Sequence, residues 1–98
     1  MPNGSPEPEG ADIPWVRAHD ALWHETAQRV VVLPPAASDP LLLSGTASWV
    51  WHLLASPRTL QHICMALAEE FQIPVDDIRA DVKNALDALV ASGAAIPR

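Results

Sequence analysis

Proline decides how long any element of this chain can be. Pro34, Pro35, Pro40, Pro57 and Pro74 cut the stretch after residue 12 into short runs. Each proline fixes φ, removes an amide donor and pushes the residue before it away from helical angles. Short strands and helices of roughly two to five turns are what remains between them. None is stable alone, so the helices must pack against one face of a sheet.

The runs take their types from composition and period. "IPWVRAH" (Ile13 to His19) and "RVVVL" (Arg29 to Leu33) read as strands flanked by breakers. Between them "DALWHETAQ" allows a short helical turn or a hairpin connection; the hairpin, with Leu22 to His24 itself paired, is the reading adopted. "PPAASDP" is a loop, and "LLL" (Leu41 to Leu43) is a third strand. Ser44 is placed as the N-cap of a first helix over about Gly45 to Leu54, which "SPRT" ends. Thr59 caps a second helix with Leu60, Ile63, Cys64, Leu67 and Phe71 as its apolar stripe. A third helix runs from about Val75 to Ser92, with Val75, Ile78, Val82, Ala85, Leu86 and Leu89 on one face. Asp76 and Asp77 suit the positive end of its dipole, and Gly93 suits its C-terminal stop. The expected class is α+β, a three-stranded antiparallel sheet followed by three helices.

Residues 1–12 hold proline, glycine and glutamate with almost nothing to bury, so they are expected to form a flexible arm before a domain over 13–98. A net charge of −6, from six Lys and Arg against twelve Asp and Glu, opposes nucleic acid and anionic membranes. No apolar run reaches the length of a membrane span. The start of the chain lacks the basic-then-apolar pattern of a secretory signal, and the lone Cys64 allows no intrachain disulfide. A reducing cytoplasm is the expected compartment.

Catalytic chemistry finds little support. His19, Asp20, His24 and Glu25 are the one cluster resembling a metal or acid–base site, but zinc patterns place histidines on a helix face or in a knuckle. A surface turn is the simpler reading. His52 and His62 stand alone on helices. Cys64 sits mid-stripe, where a thiol behaves as a small hydrophobe, and no basic neighbour is visible to activate it. Neither Ser44 nor Ser56 has a Gly-x-Ser-x-Gly context, and there is no phosphate-cradling loop. Neither enzyme activity nor a metal or cofactor is expected. Trp49 and Trp51 lie about 200° apart around their helix, so one belongs to the core and the other to the surface or an interface.

Three segments in order, "LLLSGTASWVWHLL", "PRTLQHICMALAEEF" and "DDIRADVKNALDALVASGAAI", resemble the PqqD-like proteins. These are the recognition elements for ribosomally synthesised, post-translationally modified (RiPP) precursor peptides. The likeness rests on Ala47, Trp51, Leu53 and Leu54; on Arg58, Thr59 and Leu60; and on Asp81, Val82, Leu86, Leu89 and Gly93. It covers roughly residues 13 to 96. Ser44 stands where Asn is common, Ala95 and Ile96 replace a Gly-Leu ending, and the Pro34–Pro40 loop is long. The resemblance implies a winged helix-turn-helix-like domain without catalysis of its own. Such a domain binds a leader peptide and presents it to a modifying enzyme, such as a radical SAM protein or a leader peptidase. It further implies that the leader adds as a strand beside Leu41, Leu42 and Leu43, with the third helix as the other wall. On that helix Arg79, Val82, Lys83 and Leu86 are the candidate contacts, spaced by three and four along one flank. The rival is a winged-helix DNA-binding regulator, which Asp76, Asp77, Asp81 and Asp87 on the would-be recognition helix oppose.

Deleting residues 1–11 should leave the thermal midpoint nearly unchanged, since that segment offers no apolar pattern to bury. Differential scanning calorimetry checks this, and a drop of many degrees would mean that the arm packs on the domain.

Overall fold

The computed structural model describes residues 13–27 and 29–98; the expected N-terminal arm lies outside them. Five strands and three helices follow one another: β1 (Trp15–Arg17), β2 (Leu22–Glu25), β3 (Val30–Leu33), β4 (Leu41–Leu43), α1 (Thr46–Leu53), α2 (Leu60–Phe71), α3 (Val75–Ser92) and β5 (Ala95–Pro97). The main sheet is antiparallel in the order β2-β3-β4. As expected, three antiparallel strands precede three helices and the class is α+β. The membership of the sheet differs from expectation. Its first strand is Leu22–Glu25, while Trp15–Arg17 leaves to pair with the C-terminal Ala95–Pro97 in a second, two-stranded sheet.

Period explains the division. In β2 and β3 every residue has a cross-strand partner, Leu22 with Leu33 through to Glu25 with Val30, around a tight turn closed by Thr26 and Arg29. A local hairpin of this kind closes a short loop and costs little entropy. β1 has no such neighbour and finds its partners far along the chain. Its Trp15 exchanges backbone bonds with Arg58 at 2.7 and 2.9 Å, and the Arg17 and Ala18 amides donate to Leu54 and Ala94.

The helix ends show how β5 is delivered. Gly93 adopts φ 85°, which favours glycine, and the Gly93 and Ala94 amides donate back to Val90 and Leu89. This stop turns the chain so that Ala94 and Ala95 are buried and β5 meets β1. α2 starts as expected, with the His62 amide donating to Thr59 Oγ1 at 3.1 Å. α1 does not: Gly45, at φ 58°, holds the cap position and no side chain caps the helix. Ser44 contributes only its carbonyl, which accepts from the Ala47 amide.

One core joins the elements. Val30, Val32 and Leu43 from the sheet meet Val50, Trp51 and Leu54 around α1, Ile63, Cys64 and Leu67 of α2, and Ile78, Val82, Leu86 and Leu89 of α3. Trp51 is the buried member of the tryptophan pair and Trp49 the exposed one. Phe71, expected in the buried stripe, is 39% exposed and meets Trp49 edge-on at 5.5 Å. α2 ends there, with Gln72 already left-handed, so the last turn of the stripe overhangs the core.

Arg17 ties the second sheet to this core. Its Nε donates to the Trp51 carbonyl at 2.9 Å, and its guanidinium lies 4.7 Å from the Trp23 ring and 4.8 Å from the Trp51 ring. Burial draws its pKa below the usual arginine value. The acceptors are carbonyls at the C-terminal end of α1, where a cation is favoured, and the two indole faces add cation–π attraction. Trp51 Nε1 is buried without a hydrogen-bond partner among the described residues.

Trp51→Ala should therefore cost about 3–5 kcal/mol, the range for emptying a large buried aromatic site. Trp51→Phe should cost clearly less, because it keeps a ring and removes the unpaired N–H. Urea unfolding followed by circular dichroism separates the two.

Candidate functional site

Register decides what β4 offers to a partner. In an antiparallel ladder, residues opposite one another alternate between pairs that exchange hydrogen bonds and pairs that do not. At the hairpin turn the Thr26 amide donates to the Arg29 carbonyl at 2.9 Å, so that pair is hydrogen-bonded. Counting along β3 in the observed register, Val31 and Leu33 turn their amides and carbonyls toward β2, while Val30 and Val32 turn theirs toward β4. Val30 faces Leu43 and Val32 faces Leu41. Leu41 and Leu43 are thereby spent on β3. Leu42 points its N–H and C=O the other way, to an edge that carries no strand among the described residues.

The flanks keep this edge short. Pro40 has the same parity as Leu42 and has no N–H to present, the arrangement in which edge strands accept proline. On the other side the Ser44 carbonyl is already engaged by Ala47. β2 is the opposite edge of the sheet, where Glu25 sets a charge of the kind that guards an edge; β4 carries none.

Side chains divide by face. Leu43 is buried beside Val30, and Leu41 is half-buried against the same core. Leu42 points away from the core and is 62% exposed. On α3, Val82 and Leu86 are buried; with Ile78 and Leu89 they make the core-facing stripe and offer no open surface. Arg79 turns toward α2, where its Nη1 donates to Gln61 Oε1 at 3.1 Å, and its Nη2 lies 3.9 Å from Asp76. Lys83 is exposed and pairs with Asp87 at 2.9 Å. Of the seven residues singled out from sequence, Leu42, Arg79 and Lys83 retain substantial exposed surface, while Leu43, Val82 and Leu86 are buried and Leu41 is half-buried. Sequence reading placed Pro40 only as a breaker in a loop and missed the Thr26–Arg29 closure, which sets the register and with it the outward groups of Leu42. The alternating "LWHE" and "VVVL" runs carried that register, but only once paired.

A separate cleft of about 290 Å³ lies under the hairpin tip, lined by Glu25, Ala27, Arg29, Val30, Ser48, Trp49 and His52. None of the seven residues lines it. Glu25 Oε2 and His52 Nε2 approach to 3.1 Å there, a half-exposed contact of the kind that adds little stability. Glu25 thus points to α1, apart from the cluster it forms with His19, Asp20 and His24 in sequence. Among the described residues no group of three metal-ligating side chains converges, and no helix is long and apolar enough to cross a membrane.

The sequence profile described as Coenzyme PQQ synthesis protein D (PqqD) matches residues 29–94, well over half of the chain. The chain belongs to the PqqD family. Among solved structures, TbiB1 in complex with the TbiA(beta) leader peptide shares the fold, with a TM-score of 0.71 at 19% identity, over 82% of this chain and 93% of that one. No curated protein matches the chain.

Cys64 is buried in the core stripe. Burial pushes its thiol pKa up, and Arg79 nearby pulls it partly back. A raised folded-state pKa means that the folded protein holds this proton more tightly than the unfolded chain does. The resulting stability is complete below the ordinary thiol range and is lost as pH rises through and beyond it. Chemical denaturation from neutral to alkaline pH should show a decline that Cys64→Ala lacks in part; parallel curves for the two proteins would show that the thiol does not contribute.

Proposed function

We propose that this protein is a non-catalytic adaptor that binds the leader segment of a ribosomally made precursor peptide. The leader adds as a strand beside β4 and is presented to a modifying enzyme. The observation that carries the reading is the outward N–H and C=O of Leu42 on an uncharged edge that no other described residue pairs with, since strand addition completes such groups with main-chain bonds. Membership of the PqqD family supports it, as does a shared fold with TbiB1, whose structure holds a leader peptide.

In this reading Leu41, Leu42 and Leu43 form one wall of the groove and α3 the other. Val82 and Leu86 set the floor by fixing the helix, and Arg79 and Lys83 supply positive charge for acidic leader residues. Both cations already have acidic neighbours on their own helix. Their contribution is therefore an exchange of partners, about 1 kcal/mol or less for exposed pairs. The backbone contribution is also bounded: one amide pair and its flanks supply a few hydrogen bonds, each worth about 0.5–1.5 kcal/mol net. Affinity must draw on leader side chains entering the groove as well. The enzyme that receives the peptide is of the radical SAM or leader-peptidase kind met with this family, and the adaptor needs no cofactor. The six-charge acidic excess and the four aspartates of α3 set this surface against nucleic acid.

Leu42→Pro should fold like the wild type by circular dichroism and lose binding to the cognate leader peptide in fluorescence anisotropy, because it removes a donor that serves nothing inside the domain. Leu41→Pro and Leu43→Pro should instead lower stability, since their amides belong to the ladder with β3. Lys83→Glu should weaken binding by about 1 kcal/mol at most. Full affinity in a folded Leu42→Pro protein would place the site elsewhere.

A further inference from the structure

The outer face of the main sheet is apolar at its open edge. Leu42 lies directly across from Val31, and Val31 from His24, so these three side chains share the face turned away from the core. Leu22 and Leu33 form the next cross-strand pair on that face. Leu22 is 67% and Leu42 62% exposed, and Val31 is half-buried between the strands. Among the described residues Leu42 lies outside the hydrophobic core, and its side chain meets solvent.

We infer that Leu42 is a specificity-determining residue: the outer face reads one side chain of the bound peptide, and selects an apolar one. The inference rests on the strand-addition reading and goes further than it. With Leu41 and Leu43 committed to β3 and Pro40 lacking an N–H, one residue of β4 offers both backbone groups to a partner. One peptide residue is therefore fixed opposite Leu42. Side chains directly across a ladder point to the same face whether the strands run parallel or antiparallel. The side chain of that residue extends the His24–Val31–Leu42 row by one position, against Leu42, whichever way the peptide runs. Its two neighbours in the peptide point to the opposite face, toward the groove. Selection is thus divided between the faces, with inward residues chosen by the groove and a single outward residue by Leu42.

A display library of random dodecapeptides, selected on the immobilised full-length chain, tests this. The wild type should enrich a motif with an apolar residue at one position flanked by a distinct inward-facing pair. Selection on Leu42→Lys should keep the flanking preferences and switch that one position toward Asp or Glu. The best wild-type peptide should bind Leu42→Lys up to about fivefold more weakly, the upper end of the range for a cross-strand pair. It should not bind Leu42→Pro, which reports that it occupies the edge. Circular dichroism checks that both variants are folded. The same motif from wild type and Leu42→Lys, with binding lost in Leu42→Pro, would overturn the outer-face inference and leave strand addition standing. Peptides that bind Leu42→Pro undiminished, or no enriched motif on any bait, would overturn both.

Discussion

Much of the architecture depends on where one guanidinium is held. Arg17 sits at the junction of the two sheets and the first helix. It donates to a carbonyl at the end of α1 and covers the faces of two tryptophans, one from the hairpin and one from the core. Each contact is modest. Together they fix the orientation of α1 under the hairpin, because the same helix end is held by β1 through the Arg17 amide and Leu54. Without that junction β1 and β5 would be a two-stranded ribbon, which is too small to persist alone. The termini of the described domain are thereby clamped to the middle of the chain, and the hairpin is held at a set angle over the helices.

Among the described residues, that clamp leaves the far edge of the sheet without a partner strand. The side of the sheet bearing β2 is backed by Trp23 against Trp51 and by Glu25 against His52. The side bearing β4 keeps its inward leucines in the core and turns Leu42 out. A three-residue strand is a minimal template, so its exposed hydrogen-bonding groups can be assigned without ambiguity. Burying a polar group without a partner costs more than pairing it returns; an edge left in water is therefore the natural place for unpaired amides.

The fold was legible in the sequence wherever the signal was local. α3 is marked by its stripe from Val75 to Leu89 and its Gly93 stop, and α2 by Thr59 and the Ile63–Cys64–Leu67 run; both appear where expected. The pairing of Leu22 to His24 in the hairpin was legible; that "WVR" leaves this sheet was not, because its partners Arg58 and Ala95 are far away in sequence. β5 was missed for the same reason: three residues after a helix stop carry no period. At the candidate site the leucines were legible as an apolar strand. Which of them faces outward was not, since parity is set by the turn at Thr26 and carried across β3. The burial of Val82 and Leu86 follows from the same α3 periodicity that marked them as neighbours, because the stripe that packs a helix cannot also line an open surface.

The brevity of β4 has a bearing on solubility. Cross-β growth needs a run of roughly six or seven adjoining residues that can stack in register with copies of themselves. Here Pro40 closes the run on one side, and Gly45, at φ 58°, bends the backbone away soon after Ser44 on the other. Three consecutive leucines at a bare sheet edge would otherwise invite fibril formation. Confined between a missing donor and a left-handed turn, they can lend a few hydrogen bonds to a passing chain and cannot propagate them to a third.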